Sequence, residues 1–109
     1  MATHIDPRTL PTPAFDGDGF LWETAAWNED LARRIASLDG LGDLDEAQMA
    51  VLRGLRNSFL RRGAPPALPH VCRLEGFSRD CMIRLFPDAR EAWRIAGLPN
   101  PGEEAKAYL

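Results

Sequence analysis

The chain has 109 residues, 45% apolar and 27% charged, which suits one globular domain and excludes a collagen-like or wholly disordered chain. Its apolar runs are too short for a transmembrane helix. The start, Met1-Ala2-Thr3-His4-Ile5-Asp6-Pro7, lacks the basic end and hydrophobic stretch of a secretory signal, so none is expected. The net charge of −3 hides a basic middle third: residues 1–49 carry three arginines against ten carboxylates, and residues 50–84 carry seven arginines against two. Cys72 and Cys81 are too few for a disulfide scaffold, and a cytoplasmic address is expected.

In chain order, Pro7, Pro11 and Pro13 make residues 1–14 an irregular head. Phe15-Asp16-Gly17-Asp18-Gly19-Phe20-Leu21 places turn chemistry between apolar residues, which predicts a short hairpin or extended segment. Asn28 reads as the N-cap of a helix over 29–38, with Leu31, Ile35 and Leu38 on its apolar face. Asp45 with Gln48 fits a capping box and opens the clearest helix, 46–62. Val51, Leu52, Leu55 and Phe59 form its apolar stripe, Arg53, Arg56 and Arg61 point elsewhere, and Gly63 ends it. Shorter helices are expected over 67–75, over 79–86 with Ser78 as cap, and over 88–96 with Ala92, Trp93 and Ile95 inward. Residues 98–102, Leu-Pro-Asn-Pro-Gly, must then be extended. The whole reads as one mainly α domain: a head (1–14), a helical body (15–96) and a C-terminal arm (97–109).

No Ser-His-Asp set, phosphate-cradling glycine loop or convergent carboxylate pair appears, so neither an enzyme nor a cofactor is expected. The Asp16-Gly17-Asp18-Gly19 run fails as a calcium loop, because its fifth and twelfth positions are Phe20 and Trp27. His70 and Cys72 lack the further ligands of a structural zinc site, so no metal is expected. Cys72 and Cys81 sit on adjacent short helices where a disulfide is conceivable, but free buried thiols are commoner and are expected. The helix, turn and helix of the basic third resemble a helix-turn-helix corner exposing Arg73, Arg79 and Arg84. Solvated arginines are the plainer reading, and the acidic N-terminal half opposes phosphate.

Four segments in order carry a resemblance. Phe15 to Leu21 followed by Trp27-Asn28-Glu29-Asp30 is similar to the opening of the DsrC/TusE family of sulfur-relay proteins. Val51-Leu52-Arg53-Gly54-Leu55-Arg56 with Phe59, Gly63 and Pro66 resembles its central helix and turn. Leu85-Phe86-Pro87 and the run from Ile95 to Pro101 resemble its closing segment. The resemblance implies a compact bundle of about five helices with a short or degenerate N-terminal β-hairpin and a mobile C-terminal arm. It also implies partners of sulfur-relay or sulfite-reductase type; the short apolar runs lead to the expectation of no membrane. Family members hold sulfur on arm cysteines, where a thiolate is the sulfur nucleophile.

At those two arm positions this chain has Trp93 and Glu104. A carboxylate cannot hold a sulfane sulfur, so the carrier role does not transfer. The expectation is a non-catalytic regulatory or accessory protein that docks through Leu98, Pro99, Asn100 and Pro101. The alternatives are a DNA-binding regulator using Arg73, Arg79 and Arg84, or a carrier using Cys72 or Cys81.

Overall fold

Side-chain caps fix where the principal helices begin. The computed structural model describes residues 15–103, so the expected head lies outside them. Asn28 Oδ1 accepts from the Leu31 amide (2.7 Å) and opens α1, Glu29–Leu38. Asp45 Oδ1 accepts from the Gln48 amide (2.7 Å) while Gln48 Oε1 accepts from the Asp45 amide (2.8 Å), completing the capping box of α2, Glu46–Arg62. Gly63, left-handed at φ 70°, closes α2. Next come α3, Leu68–Leu74, with Pro69 in the first turn, where its missing N–H costs no helical bond. Then follow α4, Cys81–Leu85, and α5, Ala89–Ile95, the latter capped by Asp88. These bounds lie within one or two residues of those expected from the sequence.

Ahead of α1, an antiparallel bridge joins Phe15 and Leu21, and among the described residues the hairpin consists of that one turn. Asp16 organises that turn: its Oδ1 accepts from the Asp18 and Phe20 amides, both at 2.9 Å. A 3-10 turn over Thr24–Ala26 then leads into α1. The central helix, α2, packs against α3, α4 and α5, while α1 packs against α5. Trp93, Phe20, Leu21, Ile35, Leu52, Leu55, Ile95 and Leu98 are fully buried between them. Each such side chain stabilises the fold by about 1.5–3 kcal/mol relative to exposure. No helix among the described residues is long and apolar enough to cross a membrane.

Four expectations need correction. Leu38 is 78% exposed, because the chain folds back after Asp39. The Leu41 amide donates to the Ala36 carbonyl, and Leu41, not Leu38, packs against the core. Ser78 does not cap α4; its hydroxyl donates to Asp80 Oδ1 (2.7 Å) and the cap position falls to Asp80. Arg56 does not point away from the packed face, as described below. Cys72 and Cys81 are not free thiols: they form a disulfide between α3 and α4 across a separation of nine residues. In the chain-entropy account such a short loop is worth about 2–3 kcal/mol.

α5 is joined to α1 and the Asp16 turn through charge. Arg94 donates from Nε to the Gly19 carbonyl (2.9 Å) and pairs through Nη1 with Asp39. Glu91 lies beside this pair with Oε2 buried, unpartnered by any hydrogen bond and 3.8 Å from Arg94 Nη1. Burial above all, with the Asp39 carboxylate next, pushes the Glu91 carboxyl up to about 7. The unfolded chain releases this proton near 4.5, so the native state binds more protons between that pH and about 7. Stability from this group is therefore lost as pH rises through that window. Glu91→Gln should raise stability at about pH 8 by an order of 2 kcal/mol and change little at about pH 4.5. Urea unfolding at both pH values checks this; parallel pH profiles for the two proteins would contradict it.

Candidate functional site

The start of the arm is bound into the body at almost every polar group. At the C-terminal end of α5 the last carbonyls have no helical partners and carry the negative end of the helix dipole. Three side chains from earlier in the chain meet them. Trp27 Nε1 donates to the Ile95 carbonyl (2.8 Å), Arg56 Nη1 to that of Ala96 (2.9 Å), and Thr24 Oγ1 to that of Gly97 (2.7 Å). Arg56 also donates to the Thr24 hydroxyl (3.0 Å) and carbonyl (3.1 Å), and its guanidinium lies 4.3 Å from the centre of the Trp27 ring. Burial lowers its pKa, which still leaves it charged at neutral pH.

Gly97 makes this clamp sterically feasible. Its φ is +68°, and a Cβ there would stand 2.2 Å from Trp27 Cδ1. The chain then turns over Trp93. That indole is wholly buried, meets the Phe59 ring edge-on at 5.7 Å, and donates from Nε1 to the Pro99 carbonyl (2.8 Å). Trp93 thus fills the space beneath the arm, as its bulk predicts. Leu98 is also fully buried, so it anchors the base of the arm in the core. Pro99 and Pro101 are half-buried and Asn100 is exposed.

Asn100 Nδ2 donates to Asp16 Oδ2 and Asp18 Oδ2, both at 3.0 Å, fastening the arm to the N-terminal turn. The Phe20 amide above all, with Asn100 and the Asp18 amide, holds the Asp16 carboxyl below its usual value. The run that fails as a calcium loop therefore serves as an arm latch. Glu104 lies outside the described residues.

Away from the arm, Arg73, Arg79 and Arg84 are exposed around the α3–α4 corner. Arg84 lies 3.8 Å from Asp80 and 3.4 Å from Ser78 Oγ. Cys72 and Cys81 lie under that corner, 0% and 2% exposed.

Sequence reasoning overlooked Thr24, Trp27 and Arg56 as arm contacts. Arg56 had a signal, since it lies four residues after Leu52 and three before Phe59 and so shares their face of α2. Arg56→Ala should lower stability by about 2 kcal/mol, the scale of lost charged hydrogen bonds to carbonyls. It should also speed hydrogen exchange at the Leu98 amide, which donates to the Trp93 carbonyl. Urea unfolding and amide exchange together check this, and wild-type values in both would refute the clamp.

Comparison with known proteins places this architecture. A family model described as DsrC like protein matches residues 11–103. The chain is 34% identical to the sulfurtransferase TusE of Pectobacterium atrosepticum, with 89% of this chain and 94% of that one covered. It is 33% identical to the sulfurtransferase TusE homolog of Haemophilus influenzae, over 81% of this chain and 88% of that one. The crystal structure of the oxidized gamma-subunit of the dissimilatory sulfite reductase (DsrC) from Archaeoglobus fulgidus superposes with a TM-score of 0.70 at 28% identity. That superposition covers 83% of this chain and 90% of that chain. The helical body and the arm base both fall inside the matched span, and the chain belongs to the DsrC/TusE family of sulfur-relay proteins.

Proposed function

We propose that this protein docks to partners of sulfur-relay or sulfite-reductase type without carrying sulfur on its arm, acting as an accessory or regulatory member of its family. The observation that carries this reading is Trp93. At a position where the resemblance expects a thiol, a buried indole is hydrogen-bonded to Pro99 and fills the space under the arm. The second expected thiol position is Glu104, whose carboxylate cannot accept sulfane sulfur. Retained family surface around Pro99, Asn100 and Pro101 provides the docking face. The relatives named as sulfurtransferases and as a subunit of dissimilatory sulfite reductase supply the class of partner.

In this reading the protein is not an enzyme; it occupies a binding site that a genuine carrier also uses. Carriage on Cys72 or Cys81 is less favoured, because while the two sulfurs are bonded to each other neither is a thiolate. The exposed Arg73, Arg79 and Arg84 favour a DNA-binding regulator as the second reading. Against it, α4 has only five residues, about 7.5 Å of helix, which gives little length to lay in a major groove.

The test pairs the protein with a persulfide-loaded sulfurtransferase complex and a carrier that has its arm cysteines. The protein should bind the loaded complex, slow sulfur transfer to the carrier, and gain no mass of about 32 Da per sulfur. A Cys72→Ser/Cys81→Ser variant should compete equally well, and a Pro99→Ala/Pro101→Ala variant less well. Stoichiometric sulfur on this chain, or competition lost with the cysteines in a folded variant, would overturn the docking reading in favour of carriage. No binding to the complex, with tight promoter binding that weakens steeply with salt, would overturn it in favour of the DNA reading.

A further inference from the structure

The two halves of the α3–α4 disulfide are not equivalent. Cys72 sits within α3 and is wholly buried, whereas Cys81, the first residue of α4, lines a cleft of about 360 Å³ with Phe77, Ser78, Arg84 and Leu85. That volume is of the size that admits a small molecule. Phe77 and Leu85 supply apolar wall, and the Ser78 hydroxyl and Arg84 guanidinium supply polarity. Asp80 is the acidic group beside them: it accepts from the Ser78 hydroxyl at 2.7 Å and lies 3.8 Å from Arg84 Nη1. Arg73, Glu75 and Arg79 are exposed nearby in the chain, so with Asp80 and Arg84 the local charge is three positive against two negative. Cys81 is 2% exposed, so this cleft is the approach by which a small thiolate could come near it, with the Arg84 guanidinium in the wall.

We propose that the Cys72–Cys81 disulfide is a thiol–disulfide exchange site for small anionic thiols, attacked at Cys81 through this cleft. This proposal is independent of the docking reading, which concerns the arm. The thiolate sulfur of the small molecule bonds to Cys81 Sγ, and the bond between Cys81 and Cys72 breaks. Its electron pair leaves on Cys72, which takes a proton from water. A second thiolate then attacks the small-molecule sulfur of the mixed disulfide and releases Cys81 as its thiolate. Over both steps two small thiols are oxidised to their disulfide, and the protein disulfide is reduced to two thiols. Because Cys72 is buried, its thiolate is a poor leaving group and recloses readily, so the first adduct is short-lived unless quenched. Arg84 acts on the approach of the substrate by charge and takes no part in bond exchange.

The experiment uses the full chain with its disulfide formed, exposed to 2-mercaptoethanesulfonate or to cysteamine at equal thiolate concentrations, quenched in acid and read by intact and peptide mass. The sulfonate thiol should give an adduct weighing one whole thiol, mapped to Cys81, and should react faster than the cationic thiol. Arg84→Gln, with an unchanged helical circular dichroism spectrum, should slow the sulfonate thiol by about threefold and leave cysteamine unslowed. Arg84→Lys should restore the preference, and raised salt should remove it. An adduct on Cys72, an equal rate for both thiols, or opening of the disulfide only in denaturant would overturn the proposal. Free thiols at both positions in air-equilibrated native protein would overturn it as well.

Discussion

The guanidinium of Arg56 stands where three parts of the chain meet, and much of the arrangement depends on it. α5 has only seven residues, too few to persist as an isolated helix in water. Its C-terminal carbonyls lie in a partly buried space and are satisfied by protein donors. Arg56 brings a positive charge to the negative end of that helix and holds Thr24 in place to serve Gly97. Stacking on Trp27 then orients the indole whose N–H serves Ile95. One side chain of α2 thereby ties the segment before α1 to the segment after α5.

The local part of this fold was legible in the sequence and the long-range part was not. Asn28, Asp45, Gln48 and Gly63 act on groups within four residues, so their identity alone announces their role. Arg56 acts on residues 32 and 40 positions away, and Arg94 reaches 75 positions to Gly19. Nothing in their local spacing names those partners. The same holds for the cysteines: adjacency of two short helices made a bond conceivable, but packing of α3 on α4 decides that their sulfurs meet. Leu38 failed for a related reason, since the fold-back at Gly40 offers Leu41 the site that helical periodicity assigned to Leu38.

Within the candidate site, what could be read was bulk. An indole at position 93 favours burial, and it is wholly buried between Phe59 and the base of the arm. What could not be read was that the same indole would donate to Pro99 and so make the arm part of the core. Once Leu98 is buried and Asn100 is bonded to Asp16 and Asp18, lifting the arm means breaking several contacts together. Among the described residues the base of the arm, 97–103, is therefore held to the body by apolar burial and hydrogen bonds that reinforce one another.

The charge pattern carries a parallel lesson. Seven arginines against two carboxylates in residues 50–84 suggest a basic face, but the fold uses part of that surplus internally. Arg53 donates to Glu29 (2.8 Å) and reaches Glu46 (3.5 Å), so two carboxylates of the acidic half are paired with it across α1 and α2. Arg53 above all holds the Glu29 carboxyl below its usual value. Arg56 is spent on the carbonyls of α5. Arg53 thus pairs with Glu29 of α1 at the surface, while Arg56 serves neutral backbone carbonyls at the base of the arm. The outward cationic character that remains is divided between Arg61 and Arg62 at the end of α2 and Arg73, Arg79 and Arg84 around the disulfide. The basic third is thus partly consumed inside the fold, at Arg53 and Arg56, and partly left at two separate exposed clusters.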